Sequence, residues 1–448
     1  MDRRTRGYSR LRLKRKKGLI GPRTRRLVFR AVLLAAVLYA AVVYLAPLFL
    51  PDPPAAAPRP DVVVLEPQPP ASSPQDELDK KELAKIIGPR AFEPDELYTF
   101  RIEDGQGQAL FVRTTLDPGL QAWAVGVMPQ VKAPAAALVV LDPASGQVLA
   151  MASHREDGGR DNVALSSSFP AASLFKIVTA AAAVENEQMS SGSTLAYDGR
   201  KHTLYKQDVA KEIDQGRHKV TLKEGFADSI NTVFGKLGAF NLGPEALESF
   251  AERFHFNLPI DFEMPVEKSQ FAAPAEEDPY RLAELASGLN RTTKVSPLHG
   301  AMLASAIVNQ GLLMEPTVVR EVFDKDNRIY YEHQPKSLGR VVSERTVSEL
   351  QKLMRATVLE GTGRRGFGDA DKHPVLARLE IGGKSGTIDD DQGRRVDWFV
   401  CYARPKGGGR AVALSAVVVH GPKLGVRSQV LIREAIINYF GPRQKKTS

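Results

Sequence analysis

Residues 136–151 read AALVVLDPASGQVLAM, and this stretch decides the fold class of the chain. Two apolar runs, Ala136 to Leu141 and Val148 to Met151, flank the turn sequence Asp142 to Gly146. Proline and glycine stand where turns favour them, and short apolar runs bounded by turn residues are typical of strands. The stretch therefore predicts an antiparallel hairpin.

A second hairpin is predicted near the C-terminus, where Val396 to Ala403 and Ala411 to Val419 flank a turn at Pro405 to Gly409. Leu379 to Ile388 is predicted as a further strand that leads into it. Between the two hairpins, helical periodicity predicts helices at Leu174 to Gln188, Leu222 to Leu237, Pro244 to Phe254, Pro297 to Gln310 and Glu344 to Val358, with a last helix at Gln429 to Phe440. We expect an α/β fold of the α+β type, in which an antiparallel sheet is flanked by N- and C-terminal helices and carries an inserted all-helical subdomain.

The net charge of +9 over 448 residues is concentrated at one end of the chain. Residues 1–30 hold 13 basic residues and one acidic residue, whereas the remainder holds 48 basic and 51 acidic residues. The body therefore has no basic surplus that would predict a nucleic-acid-binding surface. A single cysteine excludes a disulfide framework, and the eight histidines show no zinc-binding spacing, so neither a metal nor a cofactor is predicted.

Residues 31–50 contain no charged residue. At 1.5 Å per residue such a helix spans roughly 30 Å, the thickness of a bilayer core, so we predict a transmembrane helix. Arginines at 23, 25, 26 and 30 place the N-terminus in the cytoplasm and the body outside, in the periplasm, of a single-pass protein of the cytoplasmic membrane.

Two alternatives to this anchor are a cleaved signal peptide, which Ala55 to Ala57 would favour, and a basic arm that binds nucleic acid. The apolar run is longer than the roughly 7–15 residues of a signal core. Membrane topology already accounts for the charges that flank the run. We therefore favour a retained anchor and predict no nucleic-acid partner.

The domain organisation follows from these shifts in composition. We predict a cytoplasmic tail (1–30), a transmembrane helix (31–50) and a proline-rich linker (51–75). These are followed by a small segment without an assigned function (76–109), a main domain (110–441) and a C-terminal tail (442–448). Nine prolines between Pro51 and Pro74 disfavour helix and sheet, so the linker should be an extended spacer.

Ser173-Leu174-Phe175-Lys176 begins one of the predicted helices. Positions i and i+3 share a helix face, so the lysine amine can reach the serine hydroxyl and, when unprotonated, take its proton. Alone the motif is weak, because a helix-capping serine followed by a solvated lysine gives the same pattern. The apolar run Ala180 to Val184 favours a buried helix, and Ser229-Ile230-Asn231 and Lys384-Ser385-Gly386-Thr387 follow later in the chain.

Ordered S-x-x-K, S-x-N and K-[ST]-G motifs are the signature of the penicillin-binding protein and serine β-lactamase superfamily. Residues 110–441 resemble the transpeptidase domain of penicillin-binding proteins. The resemblance extends to Thr114 to Gln121, Leu141 to Met151, Ala227 to Leu237, Val295 to Gly311 and Asp397 to Phe399. One departure is Ala171-Ala172, where bifunctional members usually have Pro-Gly.

The resemblance implies catalytic roles for five of these residues. Ser173 would be the acylated nucleophile and Lys176 its base. That role requires the lysine pKa to fall about 3 units from about 10.4, which burial and the second cation, Lys384, can supply. Ser229 would relay a proton to the leaving amine, and Asn231 would hold both Lys176 and the substrate amide.

The resemblance also implies how the substrate is held. The backbone N–H groups of Ser173 and Thr387 would form the oxyanion hole. Gly386 would let the substrate backbone lie close to the strand, and Lys384, Ser385 and Thr387 would receive the terminal carboxylate of the substrate.

The function implied is that of a membrane-anchored D,D-transpeptidase that cross-links peptidoglycan stem peptides at D-Ala-D-Ala through an acyl-enzyme and is inhibited by β-lactams. Residues 51–113 leave no room for the glycosyltransferase domain of bifunctional members, and proteins of cell-wall synthesis are further candidate partners. The alternatives are a D,D-carboxypeptidase, a β-lactamase or β-lactam sensor, and a catalytically idle envelope scaffold, although none of the three motifs is broken.

Three other patterns have structural interpretations that we favour. The glycine string Gly361 to Gly366 follows a predicted helix instead of a strand, which argues against a dinucleotide site. Cys401 lies within a predicted strand and is interpreted as a packed apolar residue, not as a nucleophile. Asp389 to Asp391 are interpreted as a solvated turn, not as a carboxylate site.

Overall fold

The structure is a computed structural model that describes residues 78–88, 98–103, 107–159, 162–210, 212–274 and 278–442. The α-helices are α1 (Lys80–Ile87), α2 (Pro118–Val127), α3 (Lys176–Asn186), α4 (Leu222–Ala227), α5 (Asn231–Lys236), α6 (Gly243–Arg253), α7 (Pro279–Ser287), α8 (Pro297–Val308), α9 (Glu344–Leu359), α10 (Arg364–Phe367) and α11 (Ser428–Phe440). The strands are β1 (Thr99–Glu103), β2 (Ala109–Thr114), β3 (Ala135–Leu141), β4 (Val148–Arg155), β5 (Phe169–Pro170), β6 (Thr194–Tyr197), β7 (His218–Thr221), β8 (Lys294–Val295), β9 (Leu312–Met314), β10 (Val319–Phe323), β11 (Ile329–Glu332), β12 (Ser337–Arg340), β13 (Leu379–Asp389), β14 (Arg395–Pro405) and β15 (Val412–His420).

The main sheet is antiparallel and has the strand order β13-β14-β15-β3-β4. The predicted hairpin at 136–151 forms β3 and β4, and the predicted C-terminal hairpin forms β14 and β15. Because β15 pairs with β3, the two ends of the described body meet in one sheet. The predicted combination of helices with an antiparallel sheet is confirmed.

The side chains of β3 alternate between two hydrophobic cores, as the two-residue period of a strand requires. Ala137, Val139 and Leu141 pack in the core shared with α3 and α8. Leu138 and Val140 pack in the opposite core, which α2 and α11 cover. Both faces are therefore buried, which explains why the strand is an unbroken apolar run rather than an alternating one.

The insertion between β4 and β13 departs from the prediction in two ways. It is not purely helical, because β6 and β7 form a small antiparallel hairpin within it. The helix predicted at Leu222 to Leu237 is broken, since α4 ends at Ala227 and α5 begins at Asn231. Ser229, between them, has a φ of 57°, a left-handed conformation that no helix accommodates.

The segment that precedes the main sheet is packed on the body. A capping box formed by Asp79 and Glu82 begins α1. The ammonium of Lys80 donates to Glu315 Oε1 at 2.9 Å and to the carbonyl of Pro316 at 2.7 Å. Strands β1 and β2 continue into a second sheet of order β1-β2-β10-β11, which the sequence did not predict.

Within the described ranges, none of the helices combines the length and the apolar character that a membrane crossing requires. The predicted transmembrane helix at 31–50, the basic tail and the linker lie outside the described residues, as does the C-terminal tail from residue 443 onward.

Candidate active site

Ser173 lies on a 3₁₀ turn, Ala172–Phe175, that leads directly into α3. Its Oγ is 2.8 Å from the Nζ of Lys176, the contact that the i, i+3 spacing predicted. Lys176 is fully buried and Ser173 is half-buried. The apolar run that follows on α3 anchors this turn, so the hydroxyl faces the cleft while the amine lies behind it.

The amine of Lys176 has two further neighbours, the Oδ1 of Asn231 at 2.8 Å and the carbonyl oxygen of Ser287 at 2.5 Å. The amide of Asn231 is oriented by its Nδ2, which donates to the carbonyl of His202 at 2.8 Å. Both oxygens beside the lysine can only accept. A neutral lysine has two N–H bonds and one lone pair, so its lone pair is left to face the hydroxyl of Ser173.

Burial in the absence of a counter-charge holds the pKa of Lys176 well below its ordinary value of 10.5, and the nearby ammonium of Lys384 lowers it further. Burial alone lowers the pKa of Lys384 to about 7. A neutral Lys176 is therefore available to act as a base near neutral pH.

Ser229 occupies the break between α4 and α5, and its Oγ is 2.9 Å from the Nζ of Lys384. The same ammonium donates to the carbonyl of Ser385 at 2.9 Å. Lys384 and Ser385 lie on β13 and Ser229 lies on the helical side, so this contact joins the two walls of the cleft. The structure thus brings the five residues into one cleft as two hydrogen-bonded groups, Ser173 and Asn231 around Lys176 and Ser229 beside Lys384. The two groups are close enough for the charge of Lys384 to lower the pKa of Lys176.

Gly386 brings β13 against the backbone of the nucleophile. A Cβ at this position would lie 3.4 Å from the nitrogen of Ser173 and 3.2 Å from the Cβ of Ala172, so only glycine fits without displacement. The side chain of Thr387, the next residue, is exposed. Since β13 is the terminal strand of the main sheet, it can pair with an extended peptide beside Ser173.

Several site residues were not predicted from the sequence. Besides Ser287, they include Gly288, where a Cβ would lie 1.9 Å from the carbonyl oxygen of Ala172, and Thr362, whose Oγ1 is 2.6 Å from the Oγ of Ser385. His202 lies at the rim, where burial and, to a smaller extent, Lys176 lower the pKa of its imidazole. None of these residues belongs to the three catalytic motifs, although Gly288 ends α7 in the left-handed conformation that a helix end often requires.

The departure at Ala171-Ala172 has a structural consequence. Ala172 has a φ of 49°, in the left-handed region, which costs a residue with a Cβ about 1–2 kcal/mol. Glycine, which bifunctional members carry at the second position, adopts this φ without that cost. The chain therefore holds strained backbone immediately before its nucleophile.

A cavity of about 560 Å³ opens next to the segment that follows Gly288. Arg281, Asn290 and Arg291 are among its lining residues. Arg291 also reaches to within 3.8 Å of Asp391 in the turn after β13. The lining of the cavity includes none of the residues that surround Ser173 or Lys384.

Three other patterns that the sequence presented lie outside the two serine–lysine pairs. The string Gly361 to Gly366 follows α9 and not a strand. Cys401 is fully buried, and burial raises its pKa. In the acidic turn, Asp390 is paired with Arg394 at 2.9 Å.

Residues 136–437 match the family model of the penicillin binding protein transpeptidase domain. Stage V sporulation protein D of Bacillus subtilis is 27% identical over 263 residues, which are 56% of this chain and 39% of that protein. Peptidoglycan D,D-transpeptidase PbpA of Mycobacterium tuberculosis is 26% identical over 339 residues, which are 68% of this chain and 66% of that protein. The chain thus spans less than two thirds of the length of these relatives.

Solved structures show the same fold. The D,D-transpeptidase domain of a peptidoglycan glycosyltransferase from Eggerthella lenta superposes with a TM-score of 0.60 at 24% identity, over 73% of this chain and 82% of that one. The imipenem acyl-enzyme complex of penicillin-binding protein A from M. tuberculosis superposes with a TM-score of 0.59 at 22% identity, over 73% of this chain and 79% of that one.

Proposed function

The chain belongs to the penicillin-binding protein transpeptidase family, and on that premise we propose that it is a peptidoglycan D,D-transpeptidase that works through an acyl-enzyme on Ser173. The observation that carries the proposal is the pair of buried lysines, each within 2.9 Å of a serine hydroxyl and both with lowered pKa values. A nucleophile with a neutral base, next to a second serine with its own proton source, is suited to acyl transfer.

Acylation begins when the Oγ of Ser173 attacks the carbonyl carbon of the penultimate D-Ala. The lone pair of Lys176 takes the hydroxyl proton, because its two N–H bonds are directed to Asn231 and Ser287. The developing oxyanion is held by the backbone N–H groups of Ser173 and Thr387, a type of contact that contributes about 3–4 kcal/mol to transition-state stabilisation.

Departure of the terminal D-Ala requires a proton on its nitrogen. Ser229 donates that proton and is reprotonated by the ammonium of Lys384, 2.9 Å away. The C–N bond breaks and an ester to Ser173 remains. Lys176 now carries the proton that Ser173 lost, and Lys384 has lost one, so the total number of protons on the two lysines is unchanged.

Deacylation reverses these transfers with a different amine. The acceptor amine of a second stem peptide attacks the ester carbonyl, and its surplus proton passes through Ser229 to Lys384. Lys176 returns its proton to the Oγ of Ser173 as the ester bond breaks. One peptide bond has been exchanged for another, and every group of the enzyme is restored.

The proposal extends to location. The uncharged run at 31–50 and its arginine-rich flank support a single-pass anchor in the cytoplasmic membrane, with the catalytic domain outside the cytoplasm. The peptidoglycan substrate lies on that side of the membrane. Protease protection in right-side-out and inverted vesicles tests this placement, because protection of the catalytic domain is expected only in the inverted ones.

The acyl-enzyme is tested with a fluorescent penicillin on the full-length protein in detergent. We expect covalent labelling of the wild type and of Ser145→Ala, a control in the β3–β4 turn, and none of Ser173→Ala. A folded wild type that is not labelled, or a labelled Ser173→Ala, would contradict the proposal.

Reaction with natural stem peptides distinguishes the related activities. Cross-linked dimers identified by mass spectrometry are expected of a transpeptidase, whereas peptides that have only lost D-Ala would show a D,D-carboxypeptidase. A penicillin label that is hydrolysed within seconds would show a β-lactamase instead.

A further inference from the structure

We infer that Thr362 is a positioning residue that orients the hydroxyl of Ser385 toward the substrate carboxylate. The Oγ1 of Thr362 is 2.6 Å from the Oγ of Ser385, and either oxygen can be the donor. Thr362 lies in the glycine-rich loop after α9, and Ser385 lies on β13, so this contact crosses between two separate elements. None of the three motifs contains Thr362.

The loop holds Thr362 in one place through its backbone. The N–H of Thr362 donates to the carbonyl of Ala227 at 3.0 Å, and its own carbonyl accepts from the Nε2 of Gln429 at 3.2 Å. Gly361 lies so close to α4 that a Cβ would be 2.1 Å from the same carbonyl oxygen of Ala227. The position of the threonine hydroxyl is therefore set before any substrate arrives.

The orientation of the hydroxyl protons follows from which atoms can donate. A carboxylate only accepts hydrogen bonds, so a serine that binds one must spend its single proton on it. Its oxygen can then only accept from a neighbour. The Oγ1 of Thr362 is 2.6 Å from the Oγ of Ser385 and 3.3 Å from the carbonyl oxygen of Ala227, so with a carboxylate bound we assign its single proton to the shorter contact. Thr362 thus leaves the Ser385 proton directed into the cleft. This step rests on the proposed function, which supplies the terminal carboxylate.

The same loop contacts both walls of the cleft. Ala227, which bonds to Thr362, lies two residues before Ser229, and Lys384 of β13 bonds to Ser229. The walls are therefore joined once through the lysine and once through the threonine. The first contact moves protons, and the second aligns the group that binds the carboxylate.

The test is Thr362→Val, which keeps the β-branched shape and removes the hydroxyl. With the full-length protein in detergent, we expect the second-order acylation constant for benzylpenicillin to fall about tenfold, the effect of weakening one charge-assisted hydrogen bond. For benzylpenicillin methyl ester, which has no carboxylate, the ratio of wild type to variant should stay within about twofold. In a Ser385→Ala background, Thr362→Val should have no further effect, because the hydroxyl that it orients is absent.

Thr362→Ser should restore acylation by benzylpenicillin, and Thr357→Val, the same change at a buried position on α9, should leave it unchanged. Equal losses with the acid and the ester, or a loss that persists in the Ser385→Ala background, would show a merely structural role and overturn the inference. Unchanged acylation by Thr362→Val would also overturn it. Absence of wild-type acylation would instead contradict the proposed function.

Discussion

Lysine side chains in two regions of the molecule have opposite surroundings. In the cleft, Lys176 and Lys384 are fully buried and, among the described residues, form no ion pair with a carboxylate. At the junction of α1 with the body, Lys80 is 2.9 Å from Glu315 and 3.8 Å from Glu263.

The surroundings decide what each lysine can do. Without a counter-charge, burial favours the neutral amine, so the pKa of both cleft lysines falls and the amine can act in proton transfer. At the junction, burial raises the pKa of Glu315, but hydrogen bonds from Lys336 and Lys80 outweigh this effect and lower it. At these two places, therefore, the paired lysine joins segments of the chain, whereas the two without a counter-charge are available for chemistry.

The largest expected effect is that of Lys176→Met in the cleft. Methionine occupies a similar volume but has no lone pair for the Ser173 proton, so acylation by penicillin should slow by about 10³-fold. The free energy of unfolding should change by less than about 1.5 kcal/mol, because the hydrogen bonds lost at Asn231 and Ser287 are offset by no longer burying a polar amine. Stopped-flow acylation and denaturant unfolding measure the two quantities, with Lys325→Met on the surface as the control.

If Lys176→Met acylated within tenfold of the wild-type rate, the buried amine would not be the base. A large decrease in the free energy of unfolding would instead show that Lys176, like Lys80, holds segments of the chain together.

The corresponding change at the junction is Lys80→Met. It removes the hydrogen bonds to Glu315 and Pro316 and the cation that counteracts the burial-raised pKa of Glu263, so we expect a loss of about 3 kcal/mol in the free energy of unfolding. The acylation rate of the folded protein should not change. Lys336→Met is a matched control, because Lys336 contacts the same Glu315 at 2.7 Å but is 64% exposed, so its loss should cost less than about 1 kcal/mol.

Equal losses of stability in these two variants would show that burial does not govern the strength of the junction. A slower acylation in Lys80→Met would show that the junction also shapes the cleft.

The smallest expected effect is that of a one-unit change in pH on stability, through Lys384 in the cleft. The pKa of Lys384 is about 7 in the folded protein and 10.5 ordinarily, so between these values the unfolded chain binds more protons than the folded one. The free energy of unfolding should therefore rise with pH across that window, by about 1 kcal/mol per unit. Lys384→Met lacks this contribution, so its stability relative to the wild type should decline as pH rises from 7 to 10.

Parallel urea unfolding of the two proteins at several pH values measures that difference. A difference that does not vary with pH would mean that Lys384 remains charged in the folded protein.

Much of the fold could be predicted because its signals are local. The apolar runs and their turns located β3, β4, β14 and β15, and Leu379 to Ile388 falls within one residue of β13. The break in the helix predicted at Leu222 to Leu237 could not be predicted, since Asp228 to Ile230 include neither proline nor glycine. The N–H of Ile230 bonds to the carbonyl of Gly225, and Ser229 contacts Lys384 across the cleft. A contact between residues 155 positions apart leaves no periodic signal.

The sequence by itself determined the sheet, the order of the three motifs and the reacting residue types, because each is encoded within a few neighbouring positions. Only the tertiary structure decided that the lone pair of Lys176 faces Ser173, since that depends on Asn231 and on the carbonyl of Ser287. It also decided that Thr362 meets Ser385. Burial and hydrogen-bond partners arise only when distant segments pack together, and these determine whether a lysine is a base or a buried ion-pair partner.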